Sequence, residues 1–399
     1  METTHYRGGC FPTKLQELML KACLLQSSEA TDAWEQWESL IDIDGIDEGS
    51  YRLFPLLYNN LKSLGLNHPL LIKFKGLRRY IWYQNHLIMK GVETLVGSFH
   101  KAGIPMLLLK GAALILRHYQ DYGLRPMRDF DLLIPPEKVS EAIILMDSSG
   151  WKPLAKNPEE LTPEYRSFYN ALIFRDSSDH EIDLHWYESR MCRGKNDDNE
   201  FWKEAIGVKI GDTPLLCLNP THLLIEVCAH GARWNFVPPI RWVADAMTIL
   251  KTSPSIEWNR LVQLTRKRHL TLQIYETFTY LKDKMNAPIP DDLLTRLKKI
   301  PVSKNDRSIY KIHCCPEYLR GPFLEMKLQY LIYERSMKKG SLLGNVLRFP
   351  KFLQMVWRID NPWKVPFHII TRGFGRIWKI TLYYRNLFLL KIKSDKLER

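Results

Sequence analysis

The chain has 399 residues, enough for two or three domains with a sizeable core, and its 45% hydrophobic and 25% charged residues exclude a disordered or fibrous class. Its net charge of +13 is unevenly placed, because residues 321–399 hold 16 Lys plus Arg against 5 Asp plus Glu, a net of +11. Seven scattered cysteines without a Cys-x-x-Cys pair argue for a reducing, cytoplasmic setting. No apolar run is long enough to span a bilayer, and Met1 to Lys14 lacks the apolar stretch of a signal peptide.

Residues 12–100 read as helical. Leu15, Leu18, Met19, Ala22 and Leu25 recur at helical spacing. Thr31 is the expected cap of a helix running to about Leu40, and Asp44-Gly45 with Asp47 to Ser50 mark a turn region. Further helices are expected over Tyr51 to Gly65 and Leu70 to His100. On the last, Trp82, His86, Met89, Val92 and Val96 form a stripe expected to pack on a sheet.

Ile104 to Leu109 is an apolar run of buried-strand length, followed by Lys110-Gly111-Ala112-Ala113. Gly111 lets the backbone approach a ligand closely, and Leu114 to Tyr119 suits a short helix. Arg125-Pro126-Met127-Arg128-Asp129-Phe130-Asp131-Leu132-Leu133-Ile134 then reads as a second strand. Asp129 and Asp131 are two apart, so both carboxylates point to one face and Phe130 and Leu132 to the other. Two neighbouring aspartates repel unless a cation sits between them. Such hard oxygen ligands suit Mg²⁺ held together with substrate phosphates, which Lys110, Arg125 and Arg128 could neutralise. Arg125 is open between phosphate binding and an ion pair with Asp121 or Asp129.

Lys138 to Ser149 is an expected helix. Asn170 to Arg175 and His180 to Trp186 read as strands joined by Asp176-Ser177-Ser178-Asp179, a polar link suited to a hairpin turn. Glu181, Asp183 and His185 share one face of the second strand, and Ile182, Leu184 and Trp186 the other. If the hairpin adds to the sheet beside Asp129 and Asp131, Asp183 becomes a third carboxylate. His185 is then expected to orient Asp183 rather than to bind metal.

Lys110-Gly111, the Asp-x-Asp strand and Ile182-Asp183-Leu184-His185-Trp186 together resemble the nucleotidyltransferase superfamily of the DNA polymerase beta type. Within it, the wording is similar to a bacterial family often found beside polysaccharide-synthesis genes, over roughly residues 30 to 290. The resemblance implies catalytic, metal-binding roles for Asp129, Asp131 and Asp183, with Asp183 polarising the acceptor hydroxyl. It implies phosphate binding by Lys110, Gly111, Ala112, Arg125 and Arg128, and Mg²⁺, or Mn²⁺ in its place, as cofactor. Many superfamily members have Gly-Ser or Gly-Gly where this chain has Gly111-Ala112, so phosphate binding would rest on backbone N–H groups and Lys110.

From 219 onward the chain returns to helix. Asn219 is a good N-cap before Pro220, Leu223, Leu224, Val227 and Cys228 make an apolar stripe, and Gly231 after His230 is a natural stop. On the expected helix Ile240 to Leu250, Arg241 and Asp245 stand one turn apart, which suits an exposed ion pair. A similar arrangement in the family implies instead that His230, Arg241 and Asp245 line the nucleotide or acceptor cleft. Helices are expected near Ile256 to His269 and over Thr271 to Met285. In the tail, Arg372, Arg376 and Lys379 fall on one helical face and Ile370, Phe374, Ile377, Ile380, Tyr384 and Phe388 on the opposite one. That pattern fits an interfacial helix on an anionic membrane through 321–399, or an ordinary helix packed on the body; nucleic acid ranks below both.

The expected fold is α+β, a small mixed β-sheet nucleotidyltransferase core flanked by N-terminal and C-terminal helical segments. The expected divisions are 1–102 helical, 103–218 core, 219–300 helical and on the substrate side, and 301–399 basic, aromatic and helical. The expected activity is Mg-dependent transfer of an NMP group from an NTP to a hydroxyl on a glycan intermediate, protein or RNA. The alternative is a non-catalytic nucleotide-binding scaffold or sensor in cell-envelope polysaccharide synthesis. The expected setting is the cytoplasm, with attachment to the inner membrane face under the first of the two readings of the tail.

Overall fold

A computed structural model of the chain describes residues 8–154, 162–194, 196–316, 320–336, 342–357, 359, 361–375, 378 and 381. It divides into two compact units, Met1–Val302 and Ser303–Arg399.

The first unit opens with five helices: α1 (Lys14–Leu24), α2 (Ser27–Leu40), α3 (Glu48–Tyr51), α4 (Phe54–Ser63) and α5 (Leu70–Lys101). Thr13 and Gln16 cap α1 reciprocally, which satisfies two backbone donors at its start. Thr31 does not cap α2, which begins four residues earlier with Gln26 at the cap; the Thr31 hydroxyl bonds back to the Ser27 carbonyl inside the helix. The 32-residue α5 buries Phe74, Ile81, Asn85, Met89, Val92, Leu95, Val96 and Phe99. Trp82 and His86 leave that stripe. Their rings meet, tilted, with centroids 3.9 Å apart on the outer side, and His86 also meets Tyr122 at 4.2 Å.

Next come β1 (Leu107–Leu108), α6 (Lys110–Leu114), a π-type turn (Ile115–Tyr119), β2 (Phe130–Leu133), α7 (Val139–Ser148) and β3 (Lys152–Pro153). Then follow α8 (Pro163–Phe168), β4 (Ala171–Arg175), β5 (Glu181–His185), α9 (Asn199–Lys203), β6 (Ile206–Ile210) and β7 (Thr213–Cys217). The strands form one mixed sheet in the order β3-β4-β5-β2-β1-β7-β6. The run from Ile104 to Leu109 thus yields only a two-residue strand, because Pro105 has no N–H for a ladder. That short strand is nonetheless central, antiparallel to β2 and parallel to β7. The hairpin β4–β5 forms as its Asp176–Asp179 link suggests, with the Asp176 carboxylate accepting from the Ser178 and His180 N–H groups. It joins the sheet through β5, parallel to β2. The second hairpin, β6–β7, was not among the expected elements; its signal is Gly211-Asp212 between two short apolar runs.

Five helices complete this unit: α10 (Pro220–Gly231), α11 (Arg241–Thr252), α12 (Trp258–Lys267), α13 (Thr271–Met285) and α14 (Asp291–Lys299). The Asn219 side chain accepts from the His222 N–H at 2.9 Å, so this cap forms as expected. Gly231 serves a packing purpose rather than a left-handed stop, since a Cβ there would lie 2.2 Å from Trp242 Cγ.

The second unit contains α15 (Lys304–His313), α16 (Pro322–Ser336), α17 (Leu342–Trp357), a 3₁₀ turn (Pro362–Lys364) and a helix over 365–375. Tyr333, Phe349 and Phe352 form its aromatic core. Arg376, Ile377, Lys379, Ile380, Tyr384 and Phe388 lie outside the described residues. Among the described residues no helix is long and apolar enough to cross a membrane.

Candidate active site

β2 and β5 run side by side with Asp131 directly opposite Asp183 and Leu133 opposite His185. The alternation of strand side chains then places Asp131, Asp183 and His185 on one face. One ligand atom from each lies within 4.8 Å of the others. His185 Nε2 is 3.2 Å from Asp131 Oδ1 and 3.1 Å from Asp183 Oδ2. Lys110, entering from the end of β1, donates its ammonium to Asp131 Oδ1 at 2.5 Å.

These contacts set the charge states. Burial by itself would raise the Asp131 carboxyl, but the His185 hydrogen bond and the Lys110 charge hold it well below the usual carboxylate range. Burial would lower the His185 imidazole, yet its bonds to Asp131 and Asp183 raise it to about 9. Burial likewise opposes the Lys110 ammonium, and Asp131, then Glu226, hold it well above its ordinary value. Asp129 precedes β2 in an exposed loop rather than on the strand. Desolvation by neighbouring protein atoms and then the Asp131 charge raise its carboxyl.

Lys110 adopts a left-handed backbone, φ +43°, at the junction of β1 and α6. The unusual residue is therefore the lysine and not Gly111, which sits inside α6. The space left by the missing Gly111 side chain is filled by Arg125 Nη1, 2.9 Å from where a Cβ would stand, and by Met127. Close approach at Gly111 thus admits Arg125 and Met127. Ala112 is fully buried in α6.

Arg125 does not pair with Asp121 or Asp129. It is buried and makes a two-pronged ion pair with Asp245, Nε to Oδ1 at 2.8 Å and Nη2 to Oδ2 at 3.0 Å. Tyr119 donates to the same carboxylate at 2.9 Å. Asp121 is paired with Arg78 instead. Arg128 is exposed and pairs with Glu48 of α3. Arg241 and Asp245 do not form the exposed pair their spacing suggests. Asp245 is buried against Arg125, while half-buried Arg241 donates to the Pro126 carbonyl at 3.3 Å. Arg241 is lowered to about 10, first by the adjacent Arg125 charge and then by burial. His230 is exposed at the end of α10, within electrostatic reach of Lys110, Asp131 and Arg241.

Two contributors escape a reading by motif. Glu226 is buried in α10, where its Oε2 accepts from the Lys110 backbone N–H at 3.3 Å. Burial, then the nearby Glu188 charge, raises its carboxyl to about 8. The signal was a lone acid amid the apolar stripe of that helix. Asn85, fully buried on α5, donates to the Tyr122 carbonyl at 2.6 Å and the Arg125 carbonyl at 2.8 Å, and accepts from the Met127 N–H at 3.1 Å. It fixes the loop that leads into Asp129 and Asp131.

The donor set fits a divalent cation. Two carboxylates at hydrogen-bonding distance from one imidazole suit it chemically, and Asp131 already draws the Lys110 ammonium and the His185 ring to one oxygen. Asp131 and Asp183 would be the carboxylate ligands, with Asp129 within electrostatic reach of both.

A family model described as "Uncharacterised nucleotidyltransferase" matches residues 50–286, more than half of the chain. No curated protein matches. Among solved structures, the chain is similar to an antigenic nucleotidyltransferase-like protein from Paracoccidioides brasiliensis. The identity is 14% and the TM-score 0.35, over 52% of this chain and 95% of that one.

Proposed function

The chain belongs to the uncharacterised nucleotidyltransferase family, and from that premise we propose that it is a metal-dependent enzyme moving an NMP group from an NTP to a hydroxyl acceptor, in the manner of the polymerase beta superfamily. The observation that carries this reading is the register of β2 and β5, which sets Asp131 opposite Asp183 within reach of the Lys110 ammonium. Mg²⁺ or Mn²⁺, held by Asp131 and Asp183 with Asp129, would supply charge neutralisation at the attacking and leaving oxygens.

The chain's own groups take the remaining roles. Lys110 exchanges its Asp131 contact for a phosphate oxygen and offsets the negative charge of the triphosphate. Asp183, half-exposed where Asp131 is buried, accepts the proton of the acceptor hydroxyl. The acceptor oxygen bonds to the α-phosphorus while the bond from that phosphorus to the bridging oxygen breaks, and pyrophosphate leaves. His185 orients both carboxylates. Arg241 and His230 line the approach, and the acceptor is a glycan intermediate, a protein or RNA.

The second reading, a non-catalytic nucleotide-binding scaffold, draws on the same Asp131. Its oxygen is occupied by Lys110 and His185, so a chain that never exchanges those contacts would bind nucleotide without turnover. Incubation with Mg²⁺ and each α-labelled NTP, with cell lysate as acceptor source, separates the two. Wild type is expected to transfer label, and Asp131→Asn and Asp183→Asn are expected to lose at least about 100-fold in rate. NTP binding without transfer would favour the scaffold. Absence of both would overturn the nucleotide reading.

A further inference from the structure

The second unit contains a helix over 365–375 whose outward face is apolar. Phe367, Ile370, Phe374 and Trp378 are spaced by three, four and four residues, which places them on one helical stripe, and Trp363 precedes it in the 3₁₀ turn. The stripe residues are 64%, 54%, 68% and 65% exposed in that order, and Trp363 is 87% exposed. Val365 and Gly373 fall elsewhere around the helix and are the buried positions. An ordinary packed helix would bury the stripe and expose the rest; here large aromatics take the solvent positions.

The charge around the stripe identifies its occupant. Between Glu334 and Asp395 the sequence holds 13 Lys plus Arg and a single acid, Asp360. Among the described residues from 342 to 381, Arg348, Lys351, Lys364 and Arg372 are exposed. Arg372 also lies over the Trp357 ring at 4.8 Å. An apolar protein partner would not require this charge, and a second copy of the same basic segment would be repelled by it. An anionic lipid surface satisfies both features. The aromatics enter the boundary between headgroups and acyl chains, tryptophan being favoured at that depth, and the basic residues meet the anionic headgroups.

We propose that the face carrying Trp363, Phe367, Ile370, Phe374 and Trp378 is a peripheral docking surface for anionic membrane. Attachment and nucleotidyl transfer are separable, so either can fail without the other.

The test uses the full chain with vesicles of phosphatidylcholine and of phosphatidylcholine mixed with phosphatidylglycerol. Co-sedimentation is expected with the anionic vesicles and on the order of tenfold less with the neutral ones. The variant Phe367→Ser/Phe374→Ser/Trp378→Ser is expected to lose binding by on the order of tenfold or more, and Lys351→Glu/Lys364→Glu to weaken it while shrinking its salt dependence. A second measurement needs no polar replacement. Brominated lipid is expected to quench the tryptophan emission of the wild type, and less so that of Trp363→Phe/Trp378→Phe. No binding to anionic vesicles, or binding and quenching unchanged in the aromatic variants, would overturn the proposal. Self-association that the triple serine variant abolishes, without vesicle binding, would assign the face to a second copy and overturn it equally.

Discussion

Buried charge governs the candidate site at the scale of single residues. Arg125 and Asp245 are both almost fully buried and bonded at two points. Asp245→Asn leaves the guanidinium without a counter-charge, and the expected loss is roughly 3–5 kcal/mol, read from urea or guanidinium unfolding. A loss below about 1 kcal/mol would show that the pair is solvated. Glu226 makes a pH-dependent contribution. Its carboxyl is raised to about 8 in the folded chain, against about 4.3 when unfolded. The folded state therefore holds the proton more tightly, and stability falls as pH rises from the unfolded value through about 8. Glu226→Gln keeps an oxygen for the Lys110 N–H but cannot ionise. Its melting temperature should accordingly fall less than that of wild type between pH 5 and pH 9; parallel curves would remove the assignment. Asp131, Asp183 and His185 were legible in the sequence because strand alternation puts them on one face. The partners of Arg125, Arg128 and Asp245 were not, since a charged residue reads the same in a string whether it is buried or solvated, and only the packing of α3 and α11 decides.

Among elements, α10 and α11 meet at a tightly constrained point. Gly231 lets Trp242 lie across the end of α10, and Trp242 directly follows Arg241. Gly231→Ala forces a Cβ against the indole, with an expected loss of about 1–3 kcal/mol and a displaced Arg241. Thermal unfolding with a parallel NTP titration checks both; an unchanged melting temperature would mean that α11 shifts freely. Hairpin β4–β5 could be read from its polar link and alternating sides. β1 could not be read at its true length, because an apolar run names a buried segment but not how many of its residues join a ladder. Glycine after that run suggests a turn, yet the backbone that turns is that of Lys110, whose position is held through its N–H by Glu226, far away in sequence.

At the scale of the molecule, the α+β class and the succession of helices, sheet and helices follow from periodicity, which is local. Strand order is not local. That β1 lies between β2 and β7 depends on a hairpin that shows only a two-residue turn signal. The buried side chain of Asn85 gives the arrangement a further consequence. Three backbone groups of the loop before the aspartates hang on one amide supplied by the helical region that precedes the sheet. The boundary near residue 102 is therefore a seam in the sequence and not in the machinery. A chain trimmed to begin with the sheet would keep every carboxylate and lose the hook on which their loop is hung, and fragment mapping would then report an inert core whose defect lies in the missing helix.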